Sequence, residues 1–475
     1  MRTKPVSPQG VHTPRGTAGL SVAVVDEQGS EGRKGPVHAR GRGSSSPAEA
    51  RLIERGTQVP PRTDNELRII AGLQASRRHR RVFFWLAVIV VAALCAGAIA
   101  QWVRPLPRAT VTAAAIVLPG TAPAFAWPST GEAAADAEGV GTLGQVRGTQ
   151  PVPIAGLAEV LTAYTVLTDH PLRPGADGPM VPVTAETLSS YQAGQASQVS
   201  EVPVAAGESL TELQALEGLL IDSGADMATL LADWDAGSTA AFVAKLSATE
   251  SKLGLTATHI TDPSGADPAT TSTAEDLVRL GEAALSIPVL RQMVSLGQAS
   301  VPMTTVVYNL NFALGRDGII GIKSGSDSSA RGCYLFAAQQ TVGGKPVTVV
   351  GAVLGQAGGA LGPNTAAVDA GDALVKSAFA ALRSFTVFTP GQTVGTVAAP
   401  WGATAPVTVK VPISLIGWPG LSVAVKARAR TIDGALPYGA AVGAMQAGVG
   451  SSSTTVPLET AAPLGGPGAW WRLTR

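Results

Sequence analysis

Between Val82 and Val103 the chain reads VFFWLAVIVVAALCAGAIAQWV, a run of about 22 residues without a charge. A helix of that length crosses a hydrocarbon core of roughly 30 Å. The run therefore predicts one membrane span (82–103), and whatever lies on its two sides must fold separately. Arg77, Arg78, Arg80 and Arg81 precede it, whereas only Arg104 and Arg108 follow closely. By the positive-inside rule, residues 1–81 are cytoplasmic and the body is outside. Trp85 and Trp102 stand near the ends, as interfacial aromatics do. A cleaved signal peptide is the competing assignment. The 81-residue preface and the length of the apolar run argue against it.

The preface itself, through residue 68, is rich in Gly, Ser, Pro and Arg and has no apolar period. Such a composition cannot bury enough surface to offset chain entropy, so residues 1–81 read as a basic, disordered cytoplasmic tail. An arm that docks an unknown cytoplasmic partner is the alternative. The formal net charge of +1 is split unevenly, with 15 Lys/Arg against 7 Asp/Glu in residues 1–81 and 20 against 27 afterwards. A basic head on a mildly acidic body excludes a nucleic-acid-binding face. The only cysteines are Cys95 and Cys333. The first lies in the span, so no intrachain disulfide can form in the body, and no structural zinc site or other metal is expected.

Beyond the span, hydrophobic residues (45% of the chain) fall into clear periods. Val111 to Leu118 reads as a strand. Leu157, Val160, Leu161, Tyr164 and Leu167 lie at helical spacing, and further helices are predicted from Leu210 to Ile221, through the 240s, from Thr273 to Leu285 and from Asn364 to Leu382. Strand-like runs cover Thr304 to Val307, Gly318 to Ile322, Tyr334 to Ala338 and Val347 to Leu354. Residues 104–385 therefore read as an α+β domain. Residues 386–475, with VTVKVPISLI and LSVAVKARAR, read as a small all-β domain against which the terminal WWRLTR packs.

Four strings then converge: PVPIAGLAEVLTAYTVLTDH (151–170), IDSGA (221–225), HITDPSG (259–265) and GIIGIKSG (318–325). In order and spacing they resemble the serine-type D-alanyl-D-alanine carboxypeptidases, peptidase S11-like low-molecular-mass penicillin-binding proteins of bacterial cell walls. The resemblance implies a penicillin-binding-protein/β-lactamase-like domain, an antiparallel sheet with helices, followed by a small β domain. It implies no cofactor. The family's chemistry needs a Ser-x-x-Lys pair on one helix face, where the amine takes the proton of the attacking hydroxyl. It also needs a Ser-x-Asn, and a Lys-Thr/Ser-Gly on an edge strand that meets the substrate carboxylate.

Laid on this chain, Gly156 occupies the nucleophile position and Glu159 that of the base. Ser223 is retained but Ala225 replaces the asparagine, while Lys323, Ser324 and Gly325 keep the third motif. Loss of the nucleophile alone costs on the order of a millionfold in turnover. The resemblance thus implies a membrane-anchored homologue without acyl-enzyme chemistry, which binds or scaffolds at the cell wall. Lys323, Ser324, Gly325 and Ser223 are its candidate contacts to a peptidoglycan stem peptide. Two alternatives stand beside it: an active carboxypeptidase with a non-standard nucleophile, and a structural protein with a filled pocket. A Ser–His–Asp arrangement would require His170 or His259, both of which also read as turn residues. Glu159 is expected to pair with Lys323, since either charge buried alone would be costly.

Overall fold

The computed structural model describes residues 64–475 except 198, 199, 302, 303, 359 and 360. The tail expected over 1–81 therefore lies mostly outside the described residues. A helix begins at Asp64 and runs unbroken to Val103, so the last part of the expected tail is helical. Within this helix, Arg78–Val103 is long and apolar enough to cross a membrane, with a mean hydropathy of 2.7 and no burial against protein.

The body is built on a five-stranded antiparallel sheet. Its order is Ile319–Asp327, Arg331–Val342, Lys345–Gln356, Glu132–Ala137, Gly141–Val146. Successive side chains of a strand point to opposite faces, and here both faces are covered. Leu335 and Ala337 face one core, while Tyr334, Phe336 and Ala338 face the other. This is why RGCYLFAAQ and VTVVGAVLG read as nearly continuous apolar runs rather than as alternations. On the first face lies the helix Ala274–Ser286, in contact through Gly281: a Cβ there would come 2.9 Å from Val350 Cγ1. On the second lies the helix Pro363–Ala381.

The first core continues into a helical cluster around Ala158–Asp169, a helix buried nearly all round. Glu212–Ile221, Ala225–Ala236 and Thr239–Leu253 pack about it. Glu212–Ile221 starts with a capping box between Thr211 and Gln214, which satisfies two otherwise orphaned N–H donors.

A seven-stranded sheet forms the second β unit. Most of its strands come from residues 393–460, but Thr110–Ala113 pairs with Thr393–Ala398 and Ile116–Val117 pairs with Ser422–Ala429. The strand-like run expected over 111–118 is thus two short strands, and both belong structurally to the C-terminal sheet. The terminal WWRLTR is not a strand but lies in the short helix Ala469–Thr474. Trp471 sits edge-on to Trp401 at 5.9 Å, whereas Trp470 is exposed.

Candidate functional site

A short 3-10 turn, Ala155–Leu157, leads into the buried helix Ala158–Asp169 and carries Gly156. Two glycines from the other motifs allow neighbouring segments to close on this turn. Gly265 has φ +81°, and a Cβ on it would lie 2.0 Å from the Ala155 carbonyl oxygen. Only glycine suits both the conformation and the approach. A Cβ on Gly325 would lie 3.1 Å from the Gly156 nitrogen, so the edge strand Ile319–Asp327 passes directly beside the turn. The 259–265 string is organised by Asp262, whose Oδ1 accepts the N–H groups of Ser264 and Gly265 at 2.8 Å each. Thr162 ties the loop to the helix by donating to the Pro263 carbonyl at 2.7 Å.

Ser223 stands in the hinge between the helices Glu212–Ile221 and Ala225–Ala236. Its φ of +60° is unusual for a side-chain-bearing residue, and its hydroxyl donates to Glu159 Oε1 at 2.5 Å. Lys323 Nζ lies 3.1 Å from Glu159 Oε2, the pairing expected from the sequence, and both side chains are only 2% exposed. The Lys323 ammonium is thus the partner of Oε2.

The carboxylate of Glu159 fills the place in front of Gly156. A Cβ built on Gly156 would fall 2.9 Å from both Glu159 Oε1 and Ser223 Oγ. Burial pushes the Glu159 carboxyl up to about 7, against the opposing effects of the Lys323 ammonium and the Ser223 hydroxyl. Its place in the first helical turn also suits a negative charge.

A cleft of about 510 Å³ opens over this group. Gly156, Glu159, Ser223, Ala225, Ser324 and Gly325 line it, so the three motif regions are brought together. Lys323 is not among the lining residues; it sits behind Glu159. The Ser324 hydroxyl donates to the Leu310 carbonyl at 3.0 Å. Sequence reasoning did not single out Ser200, Asp327, Leu310 or Asn364, which also line the cleft. Asp327 closely follows the third motif, but nothing local marks the other three. Ser264 belongs to the 259–265 string, which had been assigned no role of its own.

Neither histidine lines the cleft. His170 Nε2 lies 2.9 Å from Asp235 Oδ1 and its ring packs on Trp234, while His259 bridges to Thr271. Cys333 is fully buried, and burial pushes its thiol up to about 12, so it supplies no nucleophile.

The buried carboxyls set the pH response. Burial raises Glu159, Glu132 and Glu212 each to about 7. A carboxyl raised in the folded state binds its proton more tightly there than in the unfolded chain. The stability it contributes is complete below the ordinary carboxylate range and is lost as pH rises through about 7. Asp267, lowered by the Ala269 N–H and the Thr261 hydroxyl, acts in the opposite sense at acid pH. The melting temperature is therefore expected to fall between about pH 5 and pH 8. The expected drop exceeds about 2–4 °C, roughly the effect of 1 kcal/mol in a domain of 150–250 residues. Glu159→Gln should reduce it, and a melting temperature that rises over this interval in thermal scans contradicts the assignment.

In arrangement the body has the fold of the penicillin-binding proteins. Penicillin binding protein 5 from Haemophilus influenzae is similar with a TM-score of 0.52 at 17% identity, covering 73% of this chain and 99% of that one. A peptidoglycan synthesis regulatory factor (PBP3) from Streptococcus pneumoniae is similar with a TM-score of 0.53 at 18% identity, covering 71% and 99%. At the level of sequence, the D-alanyl-D-alanine carboxypeptidase family model (Peptidase S11) matches residues 136–357. D-alanyl-D-alanine carboxypeptidase DacB2 of Mycobacterium tuberculosis is 37% identical over 155 residues, which are 31% of this chain and 52% of that protein. A D-alanyl-D-alanine carboxypeptidase of a Streptomyces species is 33% identical over 176 residues, 34% and 59% respectively. Residues 136–357 are thus similar in sequence to the D-alanyl-D-alanine carboxypeptidase family. The chain spans somewhat more than half the length of these two relatives.

Proposed function

We propose that the protein is a membrane-anchored, catalytically inactive member of this family that binds a ligand at the cell wall. The supporting observation is the carboxylate of Glu159 in front of Gly156, held by Ser223 and Lys323. Acyl transfer needs an oxygen or sulfur nucleophile at that point and a base to activate it. Gly156 offers neither, and the strand lysine is already neutralised. The cleft itself remains open, which favours retained binding over a filled vestige. The apolar helix serves as the anchor, and the arginines before it favour a cytoplasmic N-terminus with the body outside.

One observation favours a second reading, an active carboxypeptidase. Ser223 donates to a carboxylate raised to about 7, which resembles a nucleophile beside its general base. Against this, Lys323 lowers the basicity of the same carboxylate. Covalent labelling separates the two readings. The full chain in detergent is expected to give no band with a fluorescent penicillin and no D-alanine from a D-Ala-D-Ala peptide above a protein-free control. A strong band that disappears in Ser223→Ala overturns the inactive reading.

A further inference from the structure

The apolar helix does not end free of the body. It has no basic residue in its last turn, and the final carbonyls of a helix lack intrahelical donors. Arg475 fills that place. Its guanidinium donates to the carbonyls of Gln101 and Pro105 at 3.3 Å each, and also to that of Arg104. A cation at a helix C-terminus is favourable in itself. The Gln101 amide donates in return to the Arg475 main-chain oxygen. Three residues earlier, the Arg472 guanidinium lies 5.2 Å from the centre of the Trp102 ring, a cation–π contact. The short helix Ala469–Thr474 is thereby held at the level where the apolar run stops.

This helix presents its apolar face outward. Trp470 and Leu473 stand three residues apart, on one face, and are 78% and 40% exposed. Trp471 and Arg472 are half-buried and turn inward, to Trp401 and the Asp433 carbonyl. Six helical residues extend about 9 Å, comparable with the roughly 5–10 Å over which an interfacial helix is immersed. Trp470 therefore stands at headgroup depth beside the end of the span. The charge of the region suits the same surroundings. Residues 101–108 and 461–475 together contain Arg104, Arg108, Arg472 and Arg475 but no Asp or Glu, and interfacial binding is strengthened by attraction of such cations to anionic lipids.

We propose that the helix Ala469–Thr474 is a second membrane contact. Its Trp470–Leu473 face lies in the phospholipid interface from which the span emerges, while Arg472 and Arg475 fasten it to the end of the span. The proposal goes beyond the reading of the cleft and rests only on the anchor assigned to Arg78–Val103. Tryptophan favours this depth because its ring is amphipathic, with an apolar body and a polar N–H. Left in water, the same face would expose a large aromatic and a leucine side by side for no gain.

Spin-label accessibility tests this in the full chain, reconstituted into vesicles of phosphatidylcholine and phosphatidylglycerol in equal parts. A nitroxide on Cys95, which is exposed on the span, reports the bilayer core, and the buried Cys333 stays unlabelled. With Cys95→Ala in place, a nitroxide on Ala469→Cys reports the short helix. One on Ser251→Cys, at an exposed position of the helix Thr239–Leu253, reports water. The ratio of oxygen to nickel-chelate collisions at Ala469→Cys is expected to exceed that at Ser251→Cys several-fold and to stay below that at Cys95. Adding Trp470→Ser and Leu473→Ser should bring it down to the Ser251→Cys value. A water-like ratio at Ala469→Cys, shielding from both reagents as in a contact between two copies of the chain, or a ratio unmoved by the double substitution overturns the proposal. A water-like ratio at Cys95 removes the anchor and the proposal with it. A lipid-like Cys95 beside a water-like Ala469→Cys removes this inference alone.

Discussion

Restoring serine at position 156 alone is expected to leave the protein unlabelled by penicillin, whereas Gly156→Ser combined with Glu159→Lys and Ala225→Asn should be labelled. The reason is steric as much as chemical. A Cβ at 156 would lie 2.9 Å from Glu159 Oε1 and from Ser223 Oγ, inside ordinary contact distance. The ends of two side chains would normally give way, but these are bonded to each other at 2.5 Å, and Glu159 is also held by Lys323 at 3.1 Å. Inserting atoms into such a group destabilises by about 1–3 kcal/mol and leaves the new hydroxyl facing a carboxylate instead of an amine. Lysine at 159 removes the obstruction and places an amine three residues along the same helix face. The second cation, Lys323, lies close by and favours the neutral amine that can accept the serine proton. Because a missing nucleophile is worth up to about a millionfold, even a small fraction of recovery is visible as a covalent band. Equal labelling of the single and triple variants, or a folded triple variant that stays unlabelled, would count against the proposal that Glu159 blocks acylation at this site.

Where the resemblance carried information, the sequence was readable. Gly156, Glu159, Ser223, Ala225 and Lys323 were located by laying the family's motifs on three of the four strings, and the structure brings these positions into one cluster. Helices with one long apolar face, such as Ala274–Ser286, were equally readable. The strand Glu132–Ala137 was not. Its sequence EAAADA has helix-favouring composition, and it is a strand because small side chains fit between two cores that cover both faces. Nor could the strands at 110–117 be assigned to their sheet, since their partners lie near residues 395 and 423. The contact between Glu201 and Asp226 was equally hidden, since neither residue belongs to a string that announces chemistry.

The ion pair behind the cleft should have the largest effect on stability. Lys323→Met is expected to destabilise the domain by about 3–5 kcal/mol at pH 8, the usual consequence of leaving one member of a buried pair uncompensated. Both side chains are 2% exposed, so water cannot replace the lost partner. Lys323 also holds the Glu159 carboxyl down, and without it the carboxyl is raised beyond about 7. A carboxyl raised in the folded state stabilises below the ordinary carboxylate range and loses that contribution as pH rises. The deficit of Lys323→Met should therefore shrink at pH 5, where Glu159 takes up a proton and buries no charge. Adding Glu159→Gln removes the stranded charge altogether while leaving an oxygen to accept the Ser223 hydroxyl, so the double variant should recover most of the loss at pH 8. Urea midpoints for the four proteins at both pH values provide the cycle. If the double variant is no more stable than Lys323→Met at pH 8, or if Lys323→Met stays within about 0.5 kcal/mol of the parent, a range usual for surface changes, then the pair does not hold the site closed. Glu159 would then occupy the nucleophile's place only as one of several conformations it can adopt.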